Sequence, residues 1–183
     1  MLSYLQALSV LAAAGIVMAA DGKPNVEGPV YLHPALDFTK CLTAIDNADG
    51  GRVGIQDCSG GLNQEWTFSG LPGNVRTLRT PRTDKCLDVV DGVNADGTHL
   101  QVWNCSPLTN ENQNFYYTDD NHLAWTDHGK CLDLTDGNTA ADTLVQLWTC
   151  GSGINQVWYV DPAAGPSTTY TSVRASPTAS ASA

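Results

Sequence analysis

Two sets of four side chains recur along the chain in the same order: Asp88, Gln101, Trp103 and Asn112, then Asp133, Gln146, Trp148 and Asn155. From the aspartate to the first glutamine is thirteen residues in both. Each set offers a flat aromatic ring, a carboxylate that can accept two hydroxyl bonds at once, and two amides that both donate and accept. A sugar is the complement of such a set, with an apolar C–H face for the ring to cover and a rim of hydroxyls for the polar groups. Glycosidic hydrolysis would instead need two carboxylates facing one cleft. Asp88 and Asp133 fall in separate copies of a repeated unit, and no Ser-His-Asp or nucleophile-elbow pattern accompanies them.

The unit that carries these sets occurs three times. Lys40-Cys41-Leu42 returns as Lys85-Cys86-Leu87 and as Lys130-Cys131-Leu132, 45 residues apart each time. An apolar segment then runs to a second cysteine in each copy: Val53 to Cys58, Leu100 to Cys105 and Val145 to Cys150. Each copy closes on Asn-Gln-x-aromatic, at Asn63-Gln64-Glu65-Trp66, Asn112-Gln113-Asn114-Phe115 and Asn155-Gln156-Val157-Trp158. Six cysteines admit fifteen pairings. The repeat selects Cys41 with Cys58, Cys86 with Cys105 and Cys131 with Cys150, each closing a short loop worth ~3 kcal/mol in the chain-entropy model. A metal site is not expected, because there is no CxxC spacing and His33, His99, His122 and His128 fit no ligand pattern. Nothing in the chain calls for a cofactor.

The copies are not equivalent in chemistry. In the first, Thr43 stands where the aspartate should be, Gly54 replaces the glutamine and Gln56 replaces the ring, leaving Asn63 alone from the set. This joint loss, with cysteines and closing motif intact, separates Trp103 and Trp148 from core residues, since core packing alone would not remove ring, carboxylate and amide together. Trp66, Phe115 and Trp158 of the closing motif are expected in the core. Gln64, Gln113 and Gln156 would then hold neighbouring backbone or the site aspartate, as buried amides must. Trp125 has no sequence counterpart in the other copies and is assigned to packing.

The elements that must position these residues are strands. Short runs rich in Val, Leu, Trp, Tyr and Thr alternate with turn-formers such as Asp49-Gly50-Gly51, Asp91-Gly92, Asp96-Gly97 and Asp136-Gly137. Four strands per copy are expected, in the first copy over Val30–His33, Cys41–Ile45, Val53–Cys58 and Glu65–Phe68. The three copies make about twelve short strands of an all-β protein. A closed, threefold arrangement would remove the sheet edges.

On these residues the sequence resembles the ricin B-type lectin family, whose unit reads Cys-Leu-(Asp), Gln-x-Trp-x-Cys, Asn-Gln-x-Trp. The likeness covers roughly Pro29 to Val160 and recurs three times in one register. It implies a β-trefoil, a six-stranded barrel capped by three hairpins. It also implies that Asp88 and Asn112, and Asp133 and Asn155, bind hydroxyls, that Trp103 and Trp148 stack on the sugar, and that Gln101 and Gln146 complete the sites. Galactose, N-acetylgalactosamine and xylan-type glycans are the ligands it implies. A trefoil that binds a protein through its loops, as an inhibitor or effector, is the alternative reading.

Around the repeats the chain changes character. Residues 1–20 read as a secretory signal peptide, apolar through Leu8–Ala14 and Ile16–Ala20, with cleavage after Ala19 or Ala20. A membrane anchor fits less well, because Gln6 breaks a run already short of the roughly 20 apolar residues needed to span. Residues 21–161 form the repeat domain, with copies at about 29–72, 73–119 and 120–161. Residues 162–183, rich in Ser, Thr, Pro and Ala, read as a disordered tail. Nine basic residues against nineteen acidic give a net charge of −10 with no Lys/Arg cluster, so neither nucleic acid nor insertion into a membrane is expected. Six cysteines and a leader point to an extracellular, secreted protein.

Overall fold

The computed structural model describes residues 29–68, 78–80, 83–106 and 110–163. The proposed leader lies outside them, as does most of the proposed tail. The first copy folds into β1 (Pro29–Pro34), β2 (Lys40–Ala44), β3 (Gly51–Asp57) and β4 (Trp66–Thr67). The second gives β5 (Leu78–Thr80), β6 (Thr83–Val89), β7 (Leu100–Asn104) and β8 (Phe115–Tyr117). The third gives β9 (Leu123–Trp125), β10 (Lys130–Leu134), β11 (Val145–Thr149) and β12 (Trp158–Pro162). Twelve strands therefore stand among the described residues, joined by loops and single turns of 3-10 helix. The first two residues of the segment read as a tail belong to the fold: Pro162 pairs with Val30 and the Ala163 amide donates to the Pro29 carbonyl at 2.8 Å.

Alternation fixes which face of each strand turns inward. Along β1, Val30, Leu32 and Pro34 are buried while Pro29, Tyr31 and His33 are half-exposed, the two-residue period of a strand with one wet face. The second and third strands of every copy form an antiparallel hairpin in the same register. Leu42 faces Ile55, Leu87 faces Val102 and Leu132 faces Leu147, and all six side chains enter the core.

First and last strands join the copies. β1 pairs with β12 and β4, β4 with β5, and β8 with β9. The hairpins meet through their third strands: Gly51 and Arg52 pair with Val102 and Gln101, His99 bridges Gln146, and Gly54 bridges Leu144. Each copy thus touches both others, in the closed threefold arrangement expected from the repeats and the β-trefoil that the family resemblance implies. The three disulfides follow the repeat: Cys41–Cys58, Cys86–Cys105 and Cys131–Cys150.

The closing aromatics fill the centre. Trp66, Phe115 and Trp158 are buried, and the indole N–H of Trp66 donates to the Leu42 carbonyl at 2.9 Å, as that of Trp158 does to Leu132 at 3.1 Å. Phe115 has no such donor. Opposite it stands Trp125, at the register position that Leu78 takes opposite Trp66 and Pro34 opposite Trp158. Trp125 is buried, donates to the Glu111 carbonyl at 2.7 Å and stacks on His128 at 3.5 Å between ring centroids. The larger ring on one side accompanies the smaller ring on the other, which gives Trp125 a packing role.

Where β3 meets the third copy the fit leaves no space. A Cβ on Gly54 would lie 2.5 Å from the Thr143 carbonyl oxygen, a backbone atom that cannot swing aside. Gly54→Ala should therefore cost about 1–3 kcal/mol by overpacking. Denaturant unfolding would report this as a lower midpoint at unchanged slope.

Candidate functional site

Hairpin register brings the predicted residues together. Asp88 on β6 lies directly across from Gln101 on β7, and Cys86 across from Trp103. Side chains two apart on a strand share a face, so carboxylate, amide and ring line one side of the hairpin. Asp88 is 4% exposed and takes a bond on each oxygen, from Gln101 Nε2 on Oδ1 at 2.9 Å and from Gln113 Nε2 on Oδ2 at 2.9 Å. Each oxygen keeps a further acceptor direction for a hydroxyl. The Gln113 amide nitrogen also donates to the Asn104 carbonyl at 3.1 Å, and its oxygen accepts from the Ser106 N–H at 2.9 Å. Trp103, by contrast, is 42% exposed.

Asn112 belongs to a single 3-10 turn, Glu111–Gln113, started by Asn110, whose side chain accepts from the Asn112 N–H at 3.2 Å. A second tight turn presses on it. After β6, Asp91 (φ 53°) and Gly92 (φ 62°) are both left-handed, and a Cβ on Gly92 would lie 2.6 Å from Asn112 Oδ1. The Asp-Gly pair, legible in the sequence only as a turn, lets backbone approach the site amide closely.

The third copy repeats the arrangement. Asp133, 5% exposed, accepts from Gln146 Nε2 at 3.1 Å and from Gln156 Nε2 at 3.3 Å. Gln156 also donates to the Thr149 carbonyl at 3.1 Å and accepts from the Gly151 N–H at 2.9 Å. Trp148 is 44% exposed, and Gly137 (φ 62°) packs on Asn155 as Gly92 does on Asn112. In both copies the first glutamine spends its N–H on the aspartate. Gln101 and Gln146 thus orient a carboxylate, a task the sequence alone assigned only to Gln113 and Gln156.

The first copy keeps the frame without the chemistry. Gln64 donates to the Asp57 carbonyl at 3.0 Å and accepts from the Ser59 N–H at 2.8 Å, but meets the Thr43 hydroxyl at 3.1 Å in place of a carboxylate. Thr43 in turn donates to the Cys41 carbonyl at 2.8 Å. Gln56, where the ring should be, donates to Asp142 at 2.7 Å, and Asn63 donates to the Ala44 carbonyl at 3.4 Å.

Burial raises the Asp88 acid above the usual carboxylate range, opposed by the bonds from Gln101 and Gln113 and reinforced by the nearby charges of Asp49 and Asp91. Among the described residues, His and Cys side chains gather at His33, Cys41 and Cys58. Those cysteines are bonded to each other, and a disulfide sulfur is no thiolate ligand. No helix among the described residues is long and apolar enough to cross a membrane.

A β-trefoil whose hairpins present a ring beside an amide-held carboxylate is the architecture of a lectin. Residues 29–158 match the family described as Ricin-type beta-trefoil lectin domain, and the chain belongs to that family. Among solved structures it is similar to ThreeFoil, a designed threefold-symmetric protein, at 26% identity and a TM-score of 0.65, covering 72% of this chain and 96% of that one. It is also similar to the C-terminal half of the earthworm R-type lectin, solved in complex with GalNAc, at 19% identity and a TM-score of 0.59, covering 73% and 97%. The exo-beta-1,3-galactanase 1,3Gal43A of Clostridium thermocellum is similar at 23% identity and a TM-score of 0.59, covering 72% of this chain and 29% of that longer one. No curated protein matches the chain.

Proposed function

We propose that this protein is a secreted lectin with two competent carbohydrate sites, one in the second copy and one in the third, and a first copy without a site of its own. The observation that carries this is the common glutamine frame. In all three copies the closing glutamine makes the same bonds, yet it holds a carboxylate beside an exposed tryptophan in two of them and a threonine without a ring in the other. Each site has one buried carboxylate, which suits hydroxyl recognition and leaves hydrolysis without its second acid. The disulfides and the apolar leader support an extracellular address.

Galactose, N-acetylgalactosamine and xylan-type glycans are the candidate ligands. N-acetylgalactosamine is the first probe, since the earthworm lectin was solved with it. A single shallow site would bind near 1 mM, about −4 kcal/mol. Two sites on one chain gain avidity on a multivalent surface. The reading as a protein binder rests on Phe38 and Tyr159, exposed rings stacked at 5.2 Å outside both sites, and a blank glycan array would favour it.

Removing either ring should weaken retention on immobilised N-acetylgalactosamine by about tenfold, the effect of ~1.4 kcal/mol. Trp103→Ala with Trp148→Ala should abolish it, and Gln56→Ala should leave it unchanged. Full retention of the double variant would overturn the site assignment.

A second expectation concerns pH. The raised Asp88 acid takes up its proton at higher pH than an ordinary aspartate and then loses acceptor capacity. Because its folded value lies above the unfolded one, this protonation favours the fold. Asp46, Asp49 and Asp96 lie below their usual range, chiefly through bonds from Arg52, Lys85 and Lys130. The stability they contribute is present above the ordinary aspartate value and is lost only as pH falls through their lowered ones. Acidification should therefore weaken a Trp148→Ala variant's affinity for N-acetylgalactosamine while its circular dichroism is still native.

A further inference from the structure

Loop 46–51 of the first copy has no part in the site residues assigned above. It nevertheless bonds to the second copy's hairpin on both sides of Trp103. Ahead of the ring, the Gly50 N–H donates to the Val102 carbonyl at 3.0 Å. Behind it, Asp49 accepts from the Asn104 N–H at 2.7 Å on one carboxylate oxygen and from Asn104 Nδ2 at 2.7 Å on the other. The Lys85 ammonium, buried on β6, pairs with the same carboxylate and donates to Asn104 Oδ1 at 2.7 Å. Gly50 (φ 80°) also covers the edge of the ring, since a Cβ there would lie 3.6 Å from Trp103 Cζ3.

The second copy makes the matching backbone and carboxylate bonds to the third, although Gly97 does not reach the ring as Gly50 does. Gly97 N–H donates to the Leu147 carbonyl at 2.8 Å, ahead of Trp148. Asp96 accepts from the Thr149 N–H at 2.7 Å and from its hydroxyl at 2.9 Å, while Lys130 donates to Asp96 at 2.6 Å. At the remaining junction no carboxylate stands at that position, and the carboxylate one residue on, Asp142, accepts from Gln56 at 2.7 Å instead. Asp142, left-handed like Gly50 and Gly97, gives its N–H to the Ile55 carbonyl at 2.8 Å. The residue before it is Ala141 where the other loops have aspartate, and Lys40 pairs with Asp57 of its own copy. That junction leads to the one hairpin with Gln56 in place of a ring. The clamp is present where a ring must be held and absent where there is none.

We infer that Asp49 and Asp96 are positioning residues for carbohydrate binding, each fixing the stacking tryptophan of the copy that follows its own. The second site is then completed by the first copy, and the third site by the second. The first copy thereby acquires a role in binding although it has no site of its own. A buried ammonium needs a partner, so the Lys85 link also anchors the clamp to the strand that carries Asp88.

This inference rests on the two-site reading, and the test separates the two. In full-length protein, Asp49→Ala is combined with Trp148→Ala, so that only the second site remains, and separately with Trp103→Ala, so that only the third remains. Affinity for N-acetylgalactosamine should fall about tenfold at the second site and change less than twofold at the third. Asp96→Ala should give the mirror image. Independently of any sugar, amide hydrogen exchange in Asp49→Ala should quicken at least tenfold over residues 102–105 and stay unchanged over residues 147–150. Asp49→Asn, which keeps an acceptor oxygen but no charge, should fall between and serves if the alanine variant does not fold. Equal losses at both sites would mark general destabilisation and overturn the inference, as would an unaltered second site. If the parent protein binds no carbohydrate, the two-site reading fails, and uniform exchange across both hairpins would overturn the clamp as well.

Discussion

The closing glutamine of each copy ties three stretches of chain with one buried amide. Gln113 and Gln156 reach the site aspartate, the carbonyl ahead of the second cysteine and the N–H just beyond it, and Gln64 makes the same three contacts with Thr43 in place of the acid. A buried amide left without these partners would cost about 1–3 kcal/mol for each group stranded. The glutamine therefore fixes the closing turn against the hairpin, which sets down the asparagine just before it and drives the aromatic two residues later into the core. Fold and site share this one constraint, so the frame can persist in a copy that has lost its ligand chemistry.

That sharing explains how the copies came to differ without any loss of architecture. Threonine accepts the glutamine's bond as aspartate does, so replacing the carboxylate leaves the frame satisfied. Gly54 goes further, because the third copy's backbone comes too close for any side chain at that position. A glutamine could not be restored there without moving the Thr143 carbonyl. On the proposed reading the first copy has a tighter junction in place of a site, while its loop bonds to the hairpin that carries the second copy's ring.

Much of this was legible in the residues. The 45-residue recurrence of Lys-Cys-Leu points to the cysteine pairing, and the short apolar runs between turn-formers place the first copy's strands within a residue or two of those found. The burial of Trp66, Phe115 and Trp158 follows from the general preference of large aromatics for the core, and the joint loss of ring, carboxylate and amide in the first copy separates Trp103 and Trp148 from core residues. What stayed hidden depends on contacts between copies. Asp49 and Asp96 look like ordinary turn residues, because Asp-Gly is a turn signal whatever its carboxylate does. The lysine of the recurring triplet gave no hint that it would reach a neighbouring copy in two cases and its own in the third. That Gln101 and Gln146 also hold the aspartates is not legible either, because spacing places an amide near an acid without showing which way its N–H points. Trp125 has no counterpart legible in the sequence because its equivalents, Leu78 and Pro34, are related to it by strand register and not by residue type.

On the proposed reading a threefold fold carries two carbohydrate sites. Equilibrium dialysis of the full-length protein against saturating N-acetylgalactosamine measures this most directly. Two equivalents bound per chain are predicted, falling to one in Trp103→Ala or Trp148→Ala. Three equivalents, or a count unmoved by either substitution, would contradict it.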